Sequence, residues 1–364
     1  MKIKEIVSEL NNFAPVQLQE SYDNSGLNVG NLENEITGIL LCIDVIPEVV
    51  EEAIRKNCNL IVSHHPLIRN EIKKLTGDNY VEKSIILAIQ NDISIYCGHT
   101  NFDNHASGVS WKIAEKLNLK NIKILAPINN IVRKVSVFVP QNYAEKVRNT
   151  MFDAGAGKLG NYDCCSYNTD GYGSFKANEN ANPFVGESNK IHFEQEVKIE
   201  VIYPSYLENK IITAMLSAHP YEEVAYDVFT LNNKISFAGM GVYGEFEEDI
   251  SELDFLKKLK TTFFVENIRH SKFLNKKIKK VAICGGSGSS LIDKVKQIGS
   301  DAFITGDVKY HDYFLAENRI FLTDIGHYES EQFTKEIFFD IINKKNVNFA
   351  VNFSEIKTNP INNY

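Results

Sequence analysis

Five short polar clusters in this 364-residue chain carry groups that bind metals or move protons. They are His64-His65, the stretch His99 to Asp103, Gly285 to Ser290, Thr305-Gly306-Asp307, and Asp324 to Glu331. Four of the nine histidines (His64, His65, His99 and His327) fall within them. Imidazole and carboxylate without thiolate form a donor set suited to Zn, Mn, Fe or Ni as divalent ions. His327 and Glu331 are four residues apart, one above the other on a helix face, whereas Glu329 points elsewhere. A glutamate has two oxygens and can bridge two ions. Taken singly, each group also has a structural reading: core hydrogen bonding for His64-His65, a surface helix pair for His327 and Glu331, a cap or turn for Asp103. Together, at one sheet mouth, His64, His65, Asp103, His327 and Glu331 point to metal. The Gly285–Ser290 loop, between a strand and a helix, reads equally as a tight turn or as an anion cradle. It lacks the Gly-Lys-Ser/Thr ending of a P-loop.

Every cluster follows an apolar run short enough to be a strand. The runs are Ile39 to Ile43, Leu60 to Val62, Ile93 to Cys97, Lys280 to Cys284, Ala302 to Ile304 and Ile320 to Leu322. Helical spacing separates them, so the fold class is α/β with mostly parallel sheets flanked by helices. In such sheets the carboxyl ends of the strands form the ligand crevice. Near Pro127 the pattern changes to strand, helix, strand, strand, helix, strand, the order of a ferredoxin-like α+β domain. After Gly239-Met240-Gly241 the earlier alternation resumes. The expected organisation is a discontinuous metal-binding domain, residues 1–128 and 238–364, interrupted by an inserted domain at 129–237. The tail beyond Phe353 is Asn-rich and is expected to fray.

Composition is that of a globular protein, with 43% hydrophobic and 24% charged residues. The net charge of −8 argues against a nucleic-acid-coating role, which needs clustered cations. No stretch is apolar and long enough to span a bilayer, and residues 1–13 read as an amphipathic helix rather than a signal peptide. Six cysteines include no Cys-x-x-Cys pair, and Cys42, Cys97 and Cys284 sit in apolar runs, which fits a reducing cytoplasm.

The chain resembles the GTP cyclohydrolase 1 type 2 homologue family, the NIF-three-like dinuclear-metal proteins. The likeness rests on Tyr22 to Leu27, Ser63 to Pro66, Gly98 to Asp103, Thr305 to Asp312 and Asp324 to Glu331, in this order. It implies two divalent ions per subunit held by His64, His65, Asp103, His327 and Glu331, with Glu331 the bridge. It also implies that His99 and His311 are neighbouring or proton-transferring groups. Phe102 stands where leucine is more usual. The segment His219 to Asp227 resembles the CutA/PII-like domain inserted in longer bacterial members, where His219 would be structural or at an interface. The implied activity is hydrolytic opening of the guanine ring of GTP with formate release; the alternative is a metal-handling or regulatory scaffold without turnover. The implied assembly is a ring-shaped homohexamer.

Overall fold

A computed structural model of the chain describes residues 1–233 and 237–362. Contacts divide the chain into two compact units, one made of Met1–Pro127 with Ser236–Tyr364 and the other of Ile128–Ile235.

The larger unit holds two sheets. In the first, the strand order is Gly26–Val29, Ser94–Cys97, Leu60–Ser63, Gly38–Cys42, Ala350–Phe353. All neighbours are parallel except Gly26–Val29, which runs antiparallel at one edge. Register places Leu41 beside Val62 and Val62 beside Tyr96. Alternation then assigns each strand residue to a face. Leu40, Cys42, Ile61 and Ile95 pack with Val49, Val50 and Ala53 of the helix Pro47–Arg55 and with Ile85 and Ala88 of the helix Tyr80–Gln90. Ile39, Leu41, Leu60, Val62 and Tyr96 face the other way, onto Ile3, Ile6 and Leu10 of the helix Ile3–Phe13. Both faces are covered, which is why these strands read as continuous apolar runs.

The second sheet has the order Arg269–His270, Phe321–Asp324, Ala302–Gly306, Lys277–Ser287, Gly239–Ser251, Lys120–Pro127. Its central pairs, Lys277–Ser287 with Ala302–Gly306 and Ala302–Gly306 with Phe321–Asp324, are parallel. Val281, Ile283, Ala302, Ile304 and Phe321 join the same core as Ile39, Val62 and Tyr96. One core therefore ties the two sheets together, and the strand ends that carry the polar clusters belong to one packed body.

Two strands bracketing the insert were not evident in the sequence. Lys120–Pro127 pairs antiparallel with Gly239–Ser251, and Pro127 lies opposite Gly239. The chain thus leaves and re-enters the larger unit at neighbouring positions. The return point expected at 238 is ordered: Ala238 bridges His105, and Phe237 accepts the Ala106 N–H. Residues 234–236 lie outside the described residues. The expectation of a frayed tail is corrected as far as 359. Ala350–Phe353 pairs with Gly38–Cys42, Ser354 Oγ donates to Glu52, Thr358 Oγ1 donates to Asp44 Oδ2 at 2.7 Å, and Asn359 donates to Glu329 at 2.8 Å. Residues 363–364 are outside the described range.

The smaller unit runs Val132–Pro140, helix Ala144–Asp153, Ser166–Lys176, Ile191–Pro204, helix Glu208–Ala218, Tyr226–Leu231. Its antiparallel sheet has the order Ser166–Lys176, Ile191–Pro204, Val132–Pro140, Tyr226–Leu231. Val135, Val137, Val139, Val197, Ile199 and Val201 face Val147, Met151, Ile211 and Met215 of the two helices. Among the described residues, no helix is long and apolar enough to cross a membrane.

Candidate metal centre

His64 and His65 follow directly on the strand Leu60–Ser63. In a continuing strand they would diverge, but pairing becomes irregular here. His64 N–H bonds to Cys42 O and His65 N–H to Ile43 O, while Ser63 Oγ donates to the His65 carbonyl. Both rings consequently turn to one side, with centroids 4.9 Å apart. Asp103 closes the short helix Thr100–Asp103 after the strand Ser94–Cys97. Asp23 holds the start of that helix, since its Oδ2 accepts the Thr100 N–H at 3.0 Å and its Oδ1 accepts from His99 Nδ1 at 2.7 Å. His327 and Glu331 begin and end the helix His327–Glu331, which follows the strand Phe321–Asp324. Gly326 precedes it with φ of 92°, a conformation suited to glycine, and its N–H is accepted by Asp324 at 3.0 Å. Glu329 turns away to Asn359.

Four imidazoles have the same polarity. Nδ1 of His65, His99 and His327 contacts Asp44, Asp23 and Asp307 respectively, each at 2.7 Å, and Nδ1 of His64 contacts the Gly98 carbonyl at 2.9 Å. These oxygens accept only, so Nδ1 carries the proton and the Nε2 lone pair is left free. The Nε2 atoms converge. His65 Nε2 and His327 Nε2 lie 2.9 and 3.1 Å from Glu331 Oε2 and 3.2 Å from each other. His64 Nε2 lies 3.6 Å from Glu331 Oε1 and 3.7 Å from Asp103 Oδ1. Lone pairs facing lone pairs at this range need a cation or protons between them.

Two ligand sets result, His64 with Asp103 and Glu331, and His65 with His327 and Glu331. Donors about 2.0–2.2 Å from one tetrahedral ion sit about 3.4 Å apart, close to the spacings seen. His64 Nε2, Asp103 Oδ1 and Glu331 Oε2 are buried and make no hydrogen bond. Buried polar atoms without partners are rare in folded proteins, and here three of them face one another. The residues present therefore fit metal binding, with Glu331 common to the two sets. His99 belongs to the same cluster, because His64, His65 and His99 each offer a ring nitrogen within 4.8 Å of the others.

With no cation between them, the facing carboxylates favour protons on the inward ring nitrogens, protons that a bound metal would displace. Burial pushes the His64 imidazole down, but the Glu331 and Asp103 carboxylates outweigh it and raise it to about 9. Burial likewise opposes His327, which Glu331 and Asp307 raise to about 10. Burial acts to raise Glu331, yet the surrounding imidazoles of His64, His327 and His65 hold it well below the usual carboxylate range. Burial lifts Asp103 above that range, against the pull of His64.

Three backbone N–H groups of the Gly285–Ser290 loop are used within the protein. The N–H groups of Gly285, Gly286 and Gly288 donate to the hydroxyls of Ser110, Ser330 and Thr305 at 3.2, 2.9 and 2.8 Å. Gly286 has φ of 62°, and a Cβ there would collide with the Glu331 carboxylate. The loop thus serves the centre by letting Glu331 approach. His311 stands apart from the other site residues. It is exposed in the turn Tyr310–Ala316, its ring lies edge-on to Tyr310 at 5.2 Å, and no hydrogen bond or ring contact joins it to the cluster. Asp23, Asp44 and Asp307, which fix the ring tautomers, were not singled out for this role from sequence. Asp44 and Asp307 each stand just past a strand, a signal that a partner for an imidazole could have been sought there.

Residues 1–360 match the family model described as Duf34/NIF3 (NGG1p interacting factor 3). A Staphylococcus epidermidis protein named GTP cyclohydrolase 1 type 2 homolog is 36% identical over 366 residues, covering 99% of each chain. A Bacillus subtilis protein of the same name is 33% identical, covering 98% of this chain and 97% of its own. The solved structure of a Bacillus cereus protein related to NIF3 superimposes with a TM-score of 0.85 at 36% identity, covering 100% of this chain and 99% of that one.

Proposed function

The chain belongs to the Duf34/NIF3 family, and from that premise we propose that it is a dinuclear metal-dependent hydrolase acting on a purine nucleotide such as GTP. The observation that carries this reading is Glu331, one buried carboxylate whose two oxygens serve two separate sets of ligands. His64, Asp103 and Glu331 would hold one ion, and His65, His327 and Glu331 the other. Two such ions would supply Lewis-acid polarisation and charge compensation for a hydrolysis. His99, with Asp23 fixing its tautomer, is placed to hold or move a proton at its free ring nitrogen. His311 is assigned no proton transfer, because its ring stands outside the cluster. We read the smaller unit as a ferredoxin-like domain of CutA/PII-like type, on the strength of its element order and its sheet order. A ring-shaped homohexamer in the cytoplasm completes the proposal.

A second reading, metal handling without turnover, is favoured by the Gly285–Ser290 loop, whose N–H groups at 285, 286 and 288 are already taken within the protein. Formate release decides between them. Protein loaded with Zn, Mn or Fe is expected to release formate from GTP, and Glu331→Ala is expected to lose both the activity and bound metal. Absence of formate from the fully loaded protein overturns the hydrolase reading in favour of the second; metal retained by Glu331→Ala overturns the dinuclear assignment itself.

A further inference from the structure

The smaller unit carries a half-open pocket of about 760 Å³ that the metal chemistry does not use. Its volume falls within the range typical of small-molecule sites, about 300–1,000 Å³. The strand Ile191–Pro204 supplies its acid. Val197, Ile199 and Val201 face the helices, so alternation turns Glu196 to the opposite face, where it lines the cavity. Glu196 is only 8% exposed. Its Oε1 accepts a hydrogen bond from the Tyr221 hydroxyl at 3.0 Å, and Oε2 accepts none among the described residues. No lysine or arginine among the described residues pairs with it. Lys198, two positions along the same face, is occupied by Glu200 at 3.2 Å. Gly173 stands against Glu196 Oε2 where any Cβ would collide, and Gly171, directly opposite Glu196 in register, leaves open space. The glycines therefore keep the carboxylate's approach clear.

Aromatic rings line the same cavity. Tyr221 sits between Phe175 and Phe184, with ring centroids 6.2 Å from each. His219 fixes Tyr221 in place. Its Nε2 donates to the Phe138 carbonyl at 3.0 Å, its Nδ1 accepts the Tyr221 N–H at 3.1 Å, and the two rings meet edge-on at 5.0 Å. Glu222 accepts the Asn182 N–H at 2.9 Å, which ties the loop bearing Phe184 across the mouth. The His219 to Glu222 stretch is thus built around this cavity.

Glu196 Oε2 opens on the pocket without a protein donor and can take one from a ligand, and aromatic faces attract cations. We propose that this cavity binds a small organic cation with N–H donors, a primary ammonium or a guanidinium, through the Glu196 carboxylate and the rings of Phe175, Phe184 and Tyr221. The N–H requirement follows from Glu196 Oε2, which lacks a donor that a quaternary ammonium could not provide.

Calorimetric titration of the full-length protein with butylamine, agmatine and tetramethylammonium tests this. Butylamine and agmatine are expected to bind saturably, and tetramethylammonium about tenfold more weakly or not at all. Glu196→Gln, which keeps the shape of the side chain, is expected to weaken amine binding about tenfold or more while leaving metal content unchanged. Phe184→Ala, which leaves the buried carboxylate intact, is expected to weaken it as well, so the test survives if the first variant misfolds. The proposal is overturned if neither amine binds at about 10 mM, if well-folded Glu196→Gln binds amines as the parent does, or if tetramethylammonium matches them.

Discussion

A carboxylate that is 2% exposed and contacts three imidazoles needs those rings held with their lone pairs inward. At the scale of the residue, Asp44 and Asp307 do this holding for His65 and His327. Groups of this kind tune ligands they do not replace, and their loss typically weakens metal binding about 10–100-fold. Asp44→Asn and Asp307→Asn are each expected to fall in that range while keeping the fold. Chelator competition reads the change, and unaltered affinity in both would remove their role. The imidazoles and Glu331 were legible from spacing and from strand ends. Their orienting carboxylates were not, because Asp23 pairs with His99 across 76 residues and Asp307 with His327 across 20. For Asp44 and Asp307 a position just past a strand is the local cue, and it does not name the partner.

At the scale of the element, apolar runs with buried faces are legible in a sequence and polar tethers are not. Leu60–Ser63 and Ala302–Gly306 are buried throughout and stand out by composition. Gly239–Ser251 contains three glycines, and Lys120–Pro127 has two exposed residues at its start, so neither looks like a strand in isolation. The segment after Phe353 is held mainly by hydrogen bonds, with Ile356 alone packed against the apolar core among the described residues, and so reads as loose. Its Thr358 bonds to Asp44, which in turn bonds to His65. Truncation after Phe353 is therefore expected to lower metal affinity severalfold with little change in helix content; equal affinity in the truncated chain would show the tether to be idle. The helix Tyr80–Gln90 offers a pH test. Asn79 caps it, and Glu82 accepts the N–H groups of Thr76, Asp78 and Gly77, which with the Thr76 hydroxyl hold its carboxyl down at about 2. A carboxylate depressed in the folded state stabilises it fully above its unfolded value, and that contribution fades as the pH falls toward the folded one. Glu82→Gln is thus expected to lower Tm most above pH about 4.5, with the gap to the parent narrowing below that. A gap that stays constant on acidification would contradict the role given to Glu82.

At the scale of the whole molecule, all five proposed ligands lie in the discontinuous unit, and none lies in the contiguous insert. The pairing of Pro127 with Gly239 closes the seam within the outer unit itself. Replacing residues 129–236 by one glycine keeps Phe237 and Ala238, which bond back to the 105–106 segment, and leaves a hairpin loop of about four residues. Such a chain is expected to fold and to retain metal. Elemental analysis beside circular dichroism checks it, and a folded product without metal would mean that the insert supports the centre.

The split has a consequence during synthesis. A ribosome extends the chain from the N-terminus at roughly 5–20 residues per second. His64, His65 and Asp103 emerge first, and His327 and Glu331 follow more than two hundred residues later. Half of the cage therefore waits on the order of ten seconds or longer, an interval in which the contiguous insert can fold. The proposed ligand sets are complete only when translation is nearly over, so loading of the full centre depends on which ions the finished chain meets.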